Sequence, residues 1–118
     1  MIRVYAYDKC STCRAALKFL AANHLKAEVV PIREQPPTRA ELKHMLNAVG
    51  GNIRKLFNTS GRDYKEMNLK ERLPEMTEAE ALDLLASKGN LVKRPFLLTN
   101  NAKLVGFDPA TWKELLVS

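Results

Sequence analysis

At 118 residues the chain is long enough for one domain, residues 1–118, that buries roughly two-thirds of its unfolded surface. No apolar run approaches the roughly 18 residues of a membrane span, and Met1-Ile2-Arg3-Val4 does not open like a secretory leader, so a cytoplasmic location is expected. The net charge of +6, within 27% charged residues, is spread without a basic run, and direct nucleic-acid contact is not expected.

Residues 2–7 alternate and are rich in β formers, which predicts a strand. Cys10-Ser11-Thr12-Cys13 follows, and from Cys13 to about Asn23 the apolar Ala16, Leu17, Phe19 and Leu20 recur with helical spacing. Asn23 and His24 fit a helix stop. Ala27-Glu28-Val29-Val30-Pro31-Ile32 predicts a second strand, parallel to the first because a helix crosses between them. Gln35-Pro36-Pro37 breaks the chain. Thr38 with Glu41 makes a capping-box pattern, and Leu42, Met45, Leu46 and Val49 give the helix after it one apolar stripe that Gly50-Gly51 ends. Ile53, Leu56 and Phe57 predict a short helical piece, Asn58-Thr59-Ser60-Gly61 a turn-rich loop, and Tyr64 to Leu73 short helical turns. Thr77 with Glu80 opens a further helix through Ala81, Leu82, Leu84 and Leu85 that stops near Gly89. Phe96 to Thr99 and Lys103 to Gly106 flank Asn100-Asn101, a pair that tolerates positive φ, and predict a hairpin. Asp108-Pro109 caps and starts a last helix carrying Trp112, Leu115 and Leu116.

Cys10 and Cys13 are the chain's only cysteines. At this spacing, in a reducing compartment, they read as catalytic, redox-sensing or metal-binding rather than as a staple. A helix N-terminus carries roughly +0.5 of partial charge and unsatisfied N–H groups, which stabilise a thiolate at Cys10. Lys9 and Arg14 are adjacent in sequence and would lower its pKa further. Ser11 and Thr12 offer hydroxyl and backbone donors to a bound oxyanion. Cys13, one turn on, can close a disulfide with Cys10 or resolve a mixed one. A zinc site would need two more ligands; His24 and His44 lack a matching spacing, so no metal is expected. Two ordinary thiols without a role are the alternative. Arg94-Pro95 precedes the third strand, where proline is tolerated sterically. The Arg94 guanidinium can pair an oxyanion or a thiolate.

The order β-α-β, helical insert, β-β-α resembles the thioredoxin-like fold, an α/β architecture with a four-stranded mixed sheet. That resemblance implies that Pro95 is cis and faces the active-site sulfur, with neighbouring backbone groups free to hold a substrate. More narrowly, Cys10-Ser11-Thr12-Cys13-Arg14, Gln35-Pro36-Pro37, Asn58-Thr59-Ser60-Gly61 with Tyr64, and Arg94-Pro95 followed by Val105-Gly106-Phe107 resemble the arsenate reductase-like (ArsC) family. This family includes the Spx-type regulators. The resemblance implies Cys10 as nucleophile, with Arg94 close to it. In the glutathione- and glutaredoxin-coupled reductases three arginines hold arsenate. Here only Arg94 matches; Asn58 and Phe107 stand at the other two positions, and Arg62 lies near Asn58 out of register.

Two functions are therefore expected. The first is a thiol oxidoreductase without a bound cofactor, acting on a small oxyanion or disulfide, with glutathione/glutaredoxin or thioredoxin as electron donor. The second is an Spx-type regulator in which Cys10 and Cys13 form a redox switch. It would bind the RNA polymerase α subunit through the Gly50-Gly51 region and Arg94.

Overall fold

The computed structural model describes residues 1–117. Strand β1 (Ile2–Ala6) runs into helix α1 (Ser11–Ala22), which returns the chain to β2 (Ala27–Pro31). β1 and β2 are parallel, with Ile2 opposite Ala27 and Ala6 opposite Pro31. Late in the chain β3 (Phe96–Leu98) and β4 (Lys103–Val105) form an antiparallel hairpin, and β3 pairs antiparallel with β1. The sheet order is β2-β1-β3-β4, mixed as expected, and the arrangement is thioredoxin-like.

Strand periodicity decides which core each residue joins, because successive side chains leave opposite faces of a strand. Val4 and its partner Leu97 face α1 and the last helix, α6 (Pro109–Leu116), where Ala16, Leu20 and Trp112 bury themselves. Tyr5 and its partner Phe96 face the other way, their rings edge to face at 5.8 Å. On that side lies the insert: α2 (Arg39–Ala48), α3 (Arg62–Glu66), α4 (Leu69–Arg72) and α5 (Glu78–Ser87), with 3₁₀ turns at Ile53–Leu56, Leu73–Glu75 and Gly89–Leu91. Leu42, Met45, Leu46, Leu82 and Leu85 are its buried apolar stripes. Each contributes about 1.5–3 kcal/mol by leaving water.

Local chemistry sets the helix starts. In both predicted capping boxes, the Thr38 and Thr77 hydroxyls accept from the backbone N–H groups of Glu41 and Glu80, at 3.1 Å each. The glutamates return the bond to the threonine N–H groups, at 2.9 Å each. Asp108 caps α6 with Pro109 at its first position. His24 ends α1 in the left-handed region, at φ 56°.

Three expectations are corrected. β1 stops at Ala6, because the Tyr7 carbonyl turns to accept the Cys10 N–H at 3.1 Å. α1 begins at Ser11 rather than Cys13, because Cys10 itself is the N-cap. The hairpin turn does not rest on positive φ at Asn100-Asn101, since neither residue adopts it. Instead the Thr99 hydroxyl accepts from the N–H groups of Asn101 and Ala102, at 3.0 and 2.7 Å.

The insert docks onto the sheet through Gly89. A Cβ there would lie 1.8 Å from the Ile32 carbonyl oxygen, a backbone atom that cannot swing away. Gly89→Ala is expected to destabilise the fold by about 1–3 kcal/mol, the usual cost of overpacking. A fall in the urea midpoint at unchanged slope checks this; an unchanged midpoint contradicts the close approach.

Candidate active site

Cys10 holds an extended conformation (φ −95°, ψ 119°) just before α1, and its sulfur occupies the place of a capping oxygen. It accepts the Cys13 N–H at 3.4 Å. Cys13, one turn into the helix, is fully buried, and its sulfur accepts the Tyr7 N–H at 3.5 Å. Both thiols are free. Tyr7 thus brackets the pair, its carbonyl on the Cys10 N–H and its own N–H on the Cys13 sulfur.

The two sulfurs are tuned in opposite directions. Burial pushes the Cys10 pKa up, but the Cys13 N–H and thiol, the positive charge of Arg94 and the Thr12 N–H outweigh it, and the net shift is downward. Burial pushes Cys13 up to about 12, reinforced by its proximity to the Cys10 sulfur and only partly opposed by the Tyr7 N–H and by Arg94. Cys10 is therefore poised to be the thiolate and Cys13 remains protonated.

Arg94 enters through a cis peptide bond to the buried Pro95, as expected. Pro95 has its carbonyl bound to the Gly106 N–H at 2.8 Å. The Arg94 guanidinium lies over the Tyr7 ring, 5.0 Å from its centroid, and its Nη1 is buried without a partner among the described residues. Ser11 and Thr12 are exposed in the first turn of α1; the Thr12 N–H reaches the Cys10 sulfur. Arg14 is turned elsewhere. Its Nη1 donates to the Asp8 carbonyl at 3.1 Å, tying α1 to the preceding loop, and Arg94 supplies the charge that acts on Cys10.

Two arginines that the sequence reading did not place in the site line a cavity with Arg94. Arg33 follows β2, stacks on Tyr7 at 4.8 Å and donates from Nη1 to the Tyr7 hydroxyl at 2.8 Å. Arg62, at the start of α3, stands at the rim with its side chain 84% exposed, 3.4 Å from Glu66. With Tyr7, Arg94, Asn58 and Asn90 they line a cavity of about 280 Å³. A signal for Arg33 existed: ligands of parallel β-α-β units gather at the carboxyl ends of the strands, where Cys10 follows β1 and Arg33 follows β2. Phe107 takes no part. It packs edge to face on Trp112 at 4.8 Å and on Phe19 at 5.7 Å, half-buried against the core.

A larger cleft, about 460 Å³, lies by Val49, Phe57, Lys93 and Val105. Neither cysteine lines it or the smaller cavity, but the smaller one is walled by Tyr7 and Arg94, which contact or act on the cysteines. Among the described residues no three His, Cys, Asp or Glu side chains gather as metal ligands, and no helix is long and apolar enough to cross a membrane.

Comparison with known proteins agrees with this geometry. The ArsC family model matches residues 5–115. The chain is 44% identical to the uncharacterized protein YusI of Bacillus subtilis, over 93% of each chain. It is 32% identical to the B. subtilis regulatory protein MgsR, over 89% of this chain and 82% of that one. It is likewise 32% identical to arsenate reductase of Neisseria meningitidis, over 89% of each. The crystal structure of an ArsC-family-related protein from Bacteroides fragilis superposes with a TM-score of 0.91 at 43% identity, covering 97% of this chain and 96% of that one.

The opposing shifts predict unequal alkylation. Iodoacetamide is expected to label Cys10 in the folded protein with a pH midpoint below that of an unperturbed thiol, and Cys13 only after unfolding. Arg94→Ala removes one of the effects lowering the Cys10 pKa, so the midpoint should move up. Mass-spectrometric mapping checks both; Cys13 labelled first contradicts them.

Proposed function

The chain belongs to the ArsC family, and we propose that it is a thiol oxidoreductase in which Cys10 attacks and Cys13 resolves. The observation that carries this reading is the pair of opposed sulfur environments: one at the helix cap with its pKa lowered, the other buried beneath it with its pKa raised. Only the thiolate is nucleophilic, so the division fixes the order of events.

Cys10 thiolate attacks one sulfur of a disulfide, forming a mixed disulfide and expelling the other half as a thiolate. Cys13 then loses its proton and attacks the Cys10 sulfur. The second half leaves, and Cys10–Cys13 is oxidised as the substrate is reduced by two electrons. Each sulfur acts on the other. While Cys10 is free, its charge and hydrogen bond hold the Cys13 pKa up; once Cys10 is consumed both effects disappear, leaving burial opposed by Arg94 and the Tyr7 N–H. Arg94 stabilises the anionic sulfur and any oxyanion bound beside it.

Glutathione/glutaredoxin or thioredoxin in the cytoplasm is the proposed source of electrons. Ser11, Thr12 and the backbone beside Pro95 are proposed to contact the substrate. Arsenate itself fits less well as substrate than an organic disulfide. Phe107 packs on Trp112 and Asn58 carries no charge, so two guanidiniums of the reductase pattern are absent from their usual positions.

The test is thiol-disulfide turnover coupled to NADPH through glutaredoxin or thioredoxin, with arsenate as a parallel substrate. Cys10→Ser should fall to background. Cys13→Ser should accumulate the mixed disulfide on Cys10 and stop after one half-reaction. Undiminished turnover by Cys10→Ser would remove the assigned nucleophile.

The similarity to MgsR favours a second reading, an Spx-type regulator with the same pair as a switch. Capture of the RNA polymerase α subunit by reduced or oxidised protein, without disulfide turnover, would establish it. No capture in either redox state excludes it.

A further inference from the structure

Arg33 and Arg62 meet Arg94 on one cavity, which thiol chemistry at Cys10 and Cys13 alone does not require. We propose that these three arginines form a subsite for the carboxylate of a small zwitterionic disulfide, of amino-acid or short-peptide type, whose sulfur is presented to Cys10. The proposal rests on Cys10–Cys13 being a disulfide-reducing pair and adds what selects the substrate.

The cavity belongs to the cysteine site through shared residues. Tyr7 lines it and holds both cysteines by its backbone; Arg94 lines it and acts electrostatically on Cys10. The Tyr7 ring is flanked by the two guanidiniums at 4.8 and 5.0 Å, and the Tyr7 hydroxyl anchors Arg33. Both guanidiniums are therefore pre-positioned, and binding an anion costs little further ordering. The buried Nη1 of Arg94 has no acceptor among the described residues. A buried charged donor without a partner is costly, and an incoming carboxylate oxygen would satisfy it.

Charge and size favour a zwitterion over a bare oxyanion. Asp63 lies in the same wall, accepting from Asn90 at 3.4 Å, and would repel a multiply charged anion. The cavity adjoins a second depression of about 320 Å³ that shares Arg33, Asp63 and Asn90 and adds Glu34 and Lys88. Together they fall within the usual range for organic ligands, about 300–1,000 Å³, and offer carboxylates to a substrate ammonium.

In the reaction, reduced Cys10 and Cys13 and R–S–S–R become the Cys10–Cys13 disulfide and two R–SH. One proton comes from the Cys13 thiol and the other, because Cys10 reacts as the thiolate, from solvent; a dithiol reductant restores the pair.

Three symmetric disulfides separate the possibilities in single-turnover thiol release by the full chain. These are cystine, cystamine, which has the ammonium groups without carboxylates, and uncharged bis(2-hydroxyethyl) disulfide. Cystine is expected to react at least about tenfold faster than either, the scale of one charge-assisted hydrogen bond. In Arg33→Gln/Arg62→Gln that ratio should fall toward one. Arg54→Gln/Lys55→Gln, an equal loss of charge at the larger cleft, should keep it. Both pairs of substitutions are on exposed side chains, and a circular dichroism spectrum shows whether each variant is folded. Equal reaction of all three disulfides overturns the subsite and leaves the parent reading standing. Reaction of none overturns the parent reading. As an assay independent of turnover, S-methylcysteine should protect Cys10 from alkylation at lower concentration than arsenate does. The reverse order assigns the pocket to a bare oxyanion and overturns the proposal.

Discussion

The hydrogen bond from the Cys13 N–H to the Cys10 sulfur is the contact on which the site depends. A helix start leaves N–H groups that water or a capping oxygen normally satisfies. Here a sulfur takes that role, so the structural need of the helix and the chemical need of the nucleophile meet in one atom. A thiolate accepts such bonds better than a thiol does, so capping α1 and lowering the Cys10 pKa are one effect. The local chain is shaped to permit it. β1 ends one residue early, the Tyr7 carbonyl takes the Cys10 N–H, and the Tyr7 N–H turns to the sulfur of Cys13.

From that contact the architecture builds outward by elementary rules. The parallel β1–β2 pair puts the ends of both strands at one edge of the molecule, so Arg33 arrives beside Tyr7 without any local relation to the cysteines. The antiparallel β3 brings Arg94 to the same end from the far side of the sheet sequence. The insert completes the cavity with Asn58 and Arg62, and its position is fixed by the absence of a side chain at Gly89 against the Ile32 carbonyl. Residues far apart in sequence thus share one site because a strand order and one close backbone approach leave them nowhere else to go.

What the sequence made legible was what depends on neighbours in the chain. The strand-cysteine-helix unit, both capping boxes, the Asp108-Pro109 start, the parallel first pair and the late hairpin follow from period, caps and turn residues. The mixed four-stranded sheet came from the family resemblance, and the β1–β3 pairing that joins its halves is long-range. Cys10 at the helix N-terminus was legible, but not that it is the N-cap itself with α1 starting at Ser11, because sulfur is not among the usual capping atoms. Nor was the Thr99 turn, where a hydroxyl replaced the positive φ expected of Asn100-Asn101. Arg14 misled through adjacency: three residues into a helix, its side chain points back to the Asp8 carbonyl. Arg62 was missed because its place is set by tertiary packing and it lies out of register with the family pattern at Asn58; Arg33 had one signal, its place at the carboxyl end of a parallel strand. Phe107 needed the structure as well, since only the Phe19–Trp112 cluster explains what an aromatic ring does there.

The central claim is that Cys10 and Cys13 form a working dithiol rather than two buried thiols or a permanent staple. The reduction potential of the pair, measured by equilibration against defined thiol-disulfide buffers, tests it most directly. The account predicts a value between about −180 and −270 mV, the range of dithiols that cycle. A value below about −300 mV, that of a structural disulfide, or no disulfide formed at any buffer potential, would contradict it.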